Sequence, residues 1–176
     1  MTETAAKPRP RVRYKRVSTP TLLQMESVEC GAASLGIILG YFGRWIPLEQ
    51  LRTDCGVSRN GSNARHIAEA ARNHGLDCKG MKAEPSDLPT IPLPVIVFWN
   101  YNHFLVVEGV STDWVYINDP ESGPRRITWD DFDRSFSGIL LKFEKGPSFE
   151  RKGSPPSAVR GLFERMRGNT LNLLFV

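Results

Sequence analysis

Apolar residues recur at helical spacing in the first half of the chain. This pattern predicts three helices, over residues 30–43, 48–55 and 62–74. Ser62 is the predicted N-cap of the third helix, and Gly75 is its predicted stop, because glycine tolerates the left-handed backbone that ends many helices. The first half of the folded domain is therefore predicted to be helical.

The second half consists of short apolar runs bounded by proline and glycine, rich in the β-branched and aromatic residues that favour strands. The predicted strands are 76–81, 94–99, 104–110, 114–118, 124–128 and 138–143. The turn at 111–113 is tight enough for a hairpin, and Thr128, followed by two acidic residues, resembles a helix start. A helical lobe followed by a mostly antiparallel sheet is an α+β domain with a cleft between its layers.

The two ends of the chain differ from its middle. Residues 1–16 alternate proline with basic residues and are predicted to be a disordered arm, and the folded domain is predicted over 17–145. A Gly- and Pro-rich linker follows at 146–157. Residues 158–176 place apolar side chains at helical spacing among arginines, which predicts a basic amphipathic segment that approaches a membrane or packs on a partner. Ordinary packing of a C-terminal helix on the core is the alternative.

Charge is distributed unevenly along the chain. The whole sequence carries a net charge of +4, with an isoelectric point near 9.1. Both ends are basic, so the part between residues 17 and 149 carries a net charge of −4. A body of that sign argues against nucleic-acid binding, and the basic tails are expected either to be solvated or to contact anionic lipid.

Three cysteines in a chain without an N-terminal apolar run predict reduced thiols in the cytosol. His66 and His74 fall in a helical pattern and are expected on its solvated surface. Cys55 and Cys78 lie in unrelated segments without the spacing of metal ligands. No metal site is expected.

Cys30 is the first candidate for chemistry, because it stands where a loop becomes the first predicted helix. Unpaired backbone N–H groups and the positive end of the helix dipole favour a thiolate there. Gly31 would leave room for a substrate backbone, and the side-chain amide of Gln24 could donate to an oxyanion. The alternative is an ordinary buried cysteine.

His103 and Asp119 are the second candidates. His103 opens one predicted strand and Asp119 ends the next, so a hairpin around the 111–113 turn would bring them together near its open end, where Asp119 could orient the imidazole. A structural histidine and a common Asp-Pro turn are the alternatives. Spacing alone does not connect this pair to Cys30.

A family resemblance supplies that connection. Gln24-x5-Cys30-Gly-Ala-Ala-Ser-Leu, then His103-Phe-Leu-Val-Val, then Asn118-Asp119-Pro120 closely resembles the cysteine peptidase domain at the N-terminus of ABC exporters that process double-glycine leader peptides of bacteriocins. The resemblance covers residues 19–145. It implies a papain-like α+β fold with Cys30 as nucleophile, His103 as base, Asp119 as orienting group and Gln24 in the oxyanion hole. Glu29 departs from the family, which usually has Asp before the cysteine, and this difference is expected to matter little.

The resemblance also implies a cellular setting. The domain would cut a precursor after Gly-Gly at the cytoplasmic face of the bacterial inner membrane, as part of a transporter whose membrane-spanning and ATPase domains follow the end of this sequence. It would need no cofactor itself, since ATP and Mg²⁺ belong to the absent ATPase domain. A narrow channel would admit only glycines, and a second surface would hold the leader as an amphipathic helix, with Trp99 and Tyr101 as candidate contacts.

Two other functions remain open from the sequence. A non-catalytic docking domain of an exporter would hold the cargo without cutting it, although in such domains the nucleophile is missing. A papain-like hydrolase or transferase could instead act on another amide.

Overall fold

The structure is a computed structural model and describes residues 14–155. Within them, seven antiparallel strands form one sheet, and helices cover both of its faces. The helices are α1 (Cys30–Phe42), α2 (Leu48–Asp54), α3 (Ala64–Asn73) and α4 (Trp129–Ser135). The strands are β1 (Lys15–Arg16), β2 (Leu76–Lys82), β3 (Val95–Trp99), β4 (His103–Val110), β5 (Trp114–Asp119), β6 (Gly123–Thr128) and β7 (Phe136–Lys145).

The sheet order is β2-β7-β3-β4-β5-β6, and β1 also pairs with β4. The chain therefore folds as a helical section followed by an antiparallel sheet, so the predicted α+β class is confirmed. Helix α1 ends as predicted, with Gly43 in the left-handed region at a φ of 95°. Thr128 caps α4, because its side chain accepts a hydrogen bond from the Asp131 N–H.

Alternation along β4 separates two apolar cores. Phe104 and Val106 belong to the core beneath α1, α2 and α3. Leu105 and Val107 belong to a second core on the opposite face, which Phe132 of α4 helps to close. The sequence predicted the short helix after Thr128 without assigning it to a face of the sheet, and the structure places it over this second core.

Two boundaries differ from the sequence prediction. Lys15 and Arg16, assigned to the disordered arm, form β1 and pair with β4. The N-cap of α3 is Asn63 rather than Ser62, and its side chain accepts a hydrogen bond from the His66 N–H. Asn and Ser are near-equal N-caps, so propensity could not separate neighbouring positions. Residues 1–13 of the predicted arm lie outside the described residues.

The predicted linker is partly packed on the domain. Phe149 lies 6.1 Å from the Phe42 ring, centroid to centroid, and packs against the first core. The Trp45 N–H donates to the Lys152 carbonyl at 2.8 Å. Because of these contacts, residues 146–153 belong to the folded unit. Their Gly- and Pro-rich composition gave no sign of the Phe149 contact. The predicted amphipathic segment 158–176 lies outside the described residues and stays a prediction.

Between residues 14 and 155, the structure contains no helix with both the length and the apolar character needed to cross a bilayer.

Candidate active site

The pairing of β4 with β5 brings His103 and Asp119 together. The strands pair antiparallel from Val110 opposite Val115 to Val106 opposite Asn118, with one irregularity in between. At the open end of this hairpin, His103 Nε2 donates to Asp119 Oδ1 at 2.8 Å. The hairpin predicted from the sequence therefore produces the expected contact.

Asp119 has two further partners. Its Oδ2 accepts a hydrogen bond from the Arg125 guanidinium at 2.9 Å, and its Oδ1 also accepts one from the Glu121 N–H at 3.0 Å. Burial favours the neutral carboxyl group, but the hydrogen bonds outweigh it and hold the pKa of Asp119 well below its usual range. Asp119 is therefore ionised at neutral pH. Arg125 was not a candidate from the sequence, because only the pairing of β6 with β5 brings it beside Asp119.

Cys30 is the first residue of α1 and carries a free thiol that is only 6% exposed. It lies close enough to the His103 ring to act on the pKa of that ring. Burial disfavours the charged ring, yet the hydrogen bond to the Asp119 carboxylate and the interaction with the Cys30 sulfur outweigh it and raise the pKa of His103 to about 9. The structure thus brings a thiol, an imidazole and a carboxylate from three separate segments into one chain of contacts.

Gln24 lies on the loop that leads to Cys30. Its backbone N–H donates to the Pro120 carbonyl at 2.9 Å, which ties this loop to the residue after Asp119. Its side-chain oxygen is buried and has no hydrogen-bond partner among residues 14–155. This oxygen is an acceptor, whereas an oxyanion hole requires donors, so the role predicted for the Gln24 amide stays a prediction.

A cavity of about 300 Å³ opens beside Cys30, and the β3–β4 turn forms one of its walls. Asn100 and Tyr101 in this turn have positive φ angles of 47° and 59°. The Tyr101 ring is 77% exposed and packs edge-on against Phe98. Residues 59–62 also line this cavity. Tyr101 is therefore available to a substrate, as its candidate role requires.

The structure gives Trp99 and Gly31 other roles. Trp99 is only 8% exposed and packs against Phe132 in the second core, so we withdraw it as a candidate substrate contact. A Cβ on Gly31 would lie 2.2 Å from Ser62 Oγ and 2.8 Å from Ile67 Cδ1. Gly31 is therefore required for packing against these side chains and does not make room for a substrate backbone.

The other cysteines are poor nucleophiles. Burial and the neighbouring Asp54 charge raise the pKa of Cys55 to about 12. Burial likewise raises the pKa of Cys78 to about 11, although the Arg72 charge opposes it. Both side chains are therefore protonated thiols at neutral pH, and the thiol form is a poor nucleophile.

The prediction for His74 is wrong. It is buried, and its Nε2 lies 2.7 Å from Asp54 Oδ2. His66 is exposed, as expected. The helical pattern did not reveal that the last residues of α2 and α3 pack against each other; an acid and a histidine at these two helix ends were the available signal.

His103, Asp119 and Glu121 could each offer one ligand atom to a metal ion, and these atoms lie within 4.8 Å of one another. The Arg125 guanidinium already supplies positive charge to Asp119 at 2.9 Å. A metal ion would have to replace both this contact and the His103 hydrogen bond, so the donor set fits a proton-transfer pair better than a cation site. The metal-free site remains a prediction.

Comparison with known proteins places this geometry in a family. Residues 18–148 match the peptidase C39 family. The chain belongs to that family. A solved peptidase C39 relative, a double-glycine motif protease from an AMS/PCAT transporter in complex with the leader peptide, is 50% identical with a TM-score of 0.73, and the match covers 76% of this chain and 96% of that one.

Two curated relatives are transporters. Colicin V secretion/processing ATP-binding protein CvaB of Escherichia coli is 31% identical over 139 residues, or 79% of this chain and 20% of CvaB. Lactococcin-G-processing and transport ATP-binding protein LagD of Lactococcus lactis is 33% identical over 143 residues, or 76% of this chain and 20% of LagD. The chain thus spans about a fifth of the length of these two relatives.

Proposed function

We propose that this C39 domain is a cysteine endopeptidase that cleaves a bacteriocin-type precursor after a Gly-Gly pair, at the cytoplasmic face of an ABC exporter. The observation that carries the proposal is the contact chain from Cys30 at a helix N-terminus, through His103, to Asp119. Transmembrane and ATPase domains would supply transport, and those domains would use ATP and Mg²⁺.

The first half of the reaction is acyl transfer. The Cys30 sulfur attacks the carbonyl carbon of the second glycine, and the carbonyl oxygen becomes an oxyanion. The Cys30 N–H and the Gln24 side-chain amide donate to this oxyanion. The His103 imidazolium gives its proton to the departing amine, so the C–N bond breaks and a thioester remains on Cys30.

The second half regenerates the thiol. Neutral His103 takes a proton from water, the resulting hydroxide attacks the thioester, and the C–S bond breaks to release the leader carboxylate. With a pKa of about 9, His103 is charged at neutral pH in the resting enzyme. It therefore supports the thiolate and already carries the proton that the leaving amine needs.

Specificity for Gly-Gly has a steric rationale. The cavity beside Cys30 is lined by residues 59–62 and by Tyr101 and Asn102 of the β3–β4 turn. An extended backbone without side chains would fit beside these residues, and an added methyl group at either glycine would overlap with them.

A second groove of about 450 Å³ suits the rest of the leader. Its lining includes the apolar residues Met81, Ile139 and Leu141 and the cationic residues Arg65, Arg72 and Lys82. Arg65 is paired with Glu69 at 2.8 Å. Met81 and Ile139 are exposed large apolar side chains. We propose that an amphipathic leader helix with acidic flanks docks here, since the related double-glycine protease was solved with its leader peptide and the cationic lining complements acidic side chains.

The deciding experiment incubates a double-glycine leader peptide with wild type and with Cys30→Ala, and follows the products by mass spectrometry. We expect one cut after Gly-Gly with wild type and none with the variant. Binding without cleavage by wild type would instead make the domain a docking module. Equal cleavage of a Gly-Ala peptide would indicate a hydrolase for another amide.

Ile139→Asp tests the groove separately. We expect a rise in KM of about tenfold for the full leader, since a charge would replace an apolar contact. Cleavage of a short peptide that contains only the Gly-Gly region is the matched control and should not change. An equal loss for both peptides would refute docking at this groove.

A further inference from the structure

Glu29 is a buried acid directly before the nucleophile, and it is only 1% exposed. It ends a short 3₁₀ turn, Ser27–Glu29, that runs straight into α1. A buried carboxylate is costly unless it is paired and hydrogen-bonded. The fold therefore retains a costly group at a position next to the reacting sulfur.

The partners of Glu29 all lie outside α1. Its Oε2 accepts hydrogen bonds from the Met25 N–H at 2.6 Å and from the Glu26 N–H at 2.9 Å. Its Oε1 pairs with the Arg52 guanidinium of α2 at 2.9 Å. One carboxylate thus fixes two consecutive backbone groups of the loop and connects them to a second helix.

Gln24 immediately precedes this clamped pair. Its own N–H is held by the Pro120 carbonyl at 2.9 Å, so the backbone is fixed on both sides of Gln24. Catalysis by an oxyanion donor depends on its being held in place before the reaction. We propose that Glu29 is a positioning residue that holds the Gln24 amide where the oxyanion forms. This inference rests on the proposed peptidase function.

The contacts of the Glu29 carboxylate are directed to the loop and to α2 rather than to the thiol. Its two oxygens bond to the Met25 and Glu26 N–H groups and to Arg52. Removal of the Glu29 charge should therefore leave the alkylation rate of Cys30 close to that of wild type. Loss of the loop clamp should lower only the step in which an oxyanion develops, and this separates a positioning role from an effect on the thiol.

The first test is a double-mutant cycle on leader cleavage. Gln24→Ala should lower kcat about 100-fold, and Glu29→Gln should lower kcat about 10- to 100-fold with little change in KM. If Glu29 acts through Gln24, adding Glu29→Gln to Gln24→Ala should cost less than threefold more. Fully multiplicative losses would overturn the inference.

The second test is alkylation of Cys30 by iodoacetamide, a substitution that forms no oxyanion. Glu29→Gln should alkylate at close to the wild-type rate. A fall in alkylation parallel to the fall in cleavage would assign Glu29 to the thiol and refute its action through Gln24.

Glu108→Gln is the matched control. Glu108 is also buried, accepts a hydrogen bond from the Thr19 N–H and pairs with Arg16, but it holds the chain at Thr19 and not at Met25 and Glu26, next to Gln24. It should lower thermal stability and leave kcat within about twofold. If Glu29→Gln does not fold, Arg52→Gln replaces it, with an expected loss of about tenfold and the same non-additivity with Gln24→Ala.

These outcomes are separate from the fate of the peptidase proposal. Wild type that fails to cut the leader refutes the function itself. Active wild type with multiplicative variants refutes only the role of Glu29.

Discussion

The domain contains two histidine–carboxylate pairs with nearly the same geometry and different surroundings. His103 Nε2 lies 2.8 Å from Asp119, and His74 Nε2 lies 2.7 Å from Asp54. Both pairs also have a cysteine close by. The distance between imidazole and carboxylate therefore does not distinguish a catalytic pair from a structural one.

The cysteine and its access make the difference. Cys30 begins a helix, contacts His103 and lines a cavity of about 300 Å³. Cys55 follows a helix, is fully buried and has a pKa of about 12, partly because of the adjacent Asp54 charge. A carboxylate beside a thiol opposes its ionisation, whereas a carboxylate behind an imidazole supports it.

The largest expected contrast is in alkylation of these two cysteines. At pH 7.5, a thiol with a pKa near 12 is ionised in roughly one molecule in ten thousand or fewer. Native protein treated with iodoacetamide should therefore label Cys30 more than 1,000-fold faster than Cys55, as read by peptide mass spectrometry. Comparable labelling rates for Cys30 and Cys55 in the folded protein would contradict the difference between the two sites. Equal labelling of both cysteines in denaturant is the control.

Replacement of each histidine should separate activity from stability. His103→Gln should lower kcat/KM at least 1,000-fold, because the proton donor to the leaving amine is lost. His74→Gln should cost about 1–3 kcal/mol of unfolding free energy through a lost buried hydrogen bond, yet cut the leader within twofold of wild type. Kinetics and urea unfolding of both variants measure this, and a large loss of kcat/KM in folded His74→Gln would contradict it.

Asp119 and Asp54 should differ in their effect on the pH dependence of kcat/KM. The Asp119 hydrogen bond contributes to the raised pKa of His103, so Asp119→Asn should lower that pKa. The alkaline limb of kcat/KM, expected near pH 9 in wild type, should move to lower pH, and kcat should fall at least 100-fold. Asp54→Asn is the control and should leave the limb in place. An unchanged limb in Asp119→Asn would argue against the assigned cause.

The smallest expected effect concerns Arg125, which bonds to Asp119 in addition to His103. Arg125→Gln removes a cation near His103, so the His103 pKa should rise by less than about one unit and kcat should fall two- to tenfold as Asp119 loses an anchor. Arg126→Gln is the matched control, because Arg126 lies over the Trp114 ring. NMR titration of His103 measures the shift, and a lower His103 pKa in Arg125→Gln would contradict the prediction.

The sequence predicted the elements that depend on local pattern. Apolar spacing and a C-terminal glycine located α1, and the hairpin around 111–113 brought His103 to Asp119 as expected. The meeting with Cys30 came from family resemblance, since it depends on packing between segments more than 70 residues apart. Trp99 illustrates the limit: alternation shows that neighbours on a strand face opposite sides, but not which side is solvated.

Side-chain networks were the least predictable part. Glu29 was expected to matter little, because one acid in place of another carries no visible signal in a single sequence. Its role depends on Arg52, which reaches it from another helix. Likewise, the composition of 146–153 indicated a linker, while the Phe149 ring fixes that segment on the domain.

Helix α1 is about 20 Å long, with the Cys30 sulfur at its first residue. At its other end, the turn after Gly43 is fastened to the outgoing chain, where Trp45 bonds to Lys152 and Arg44 bonds to Glu150. Tension on residues 150–152 therefore has two outcomes: it breaks these two hydrogen bonds, or it shifts helix α1 and moves the Cys30 sulfur with it.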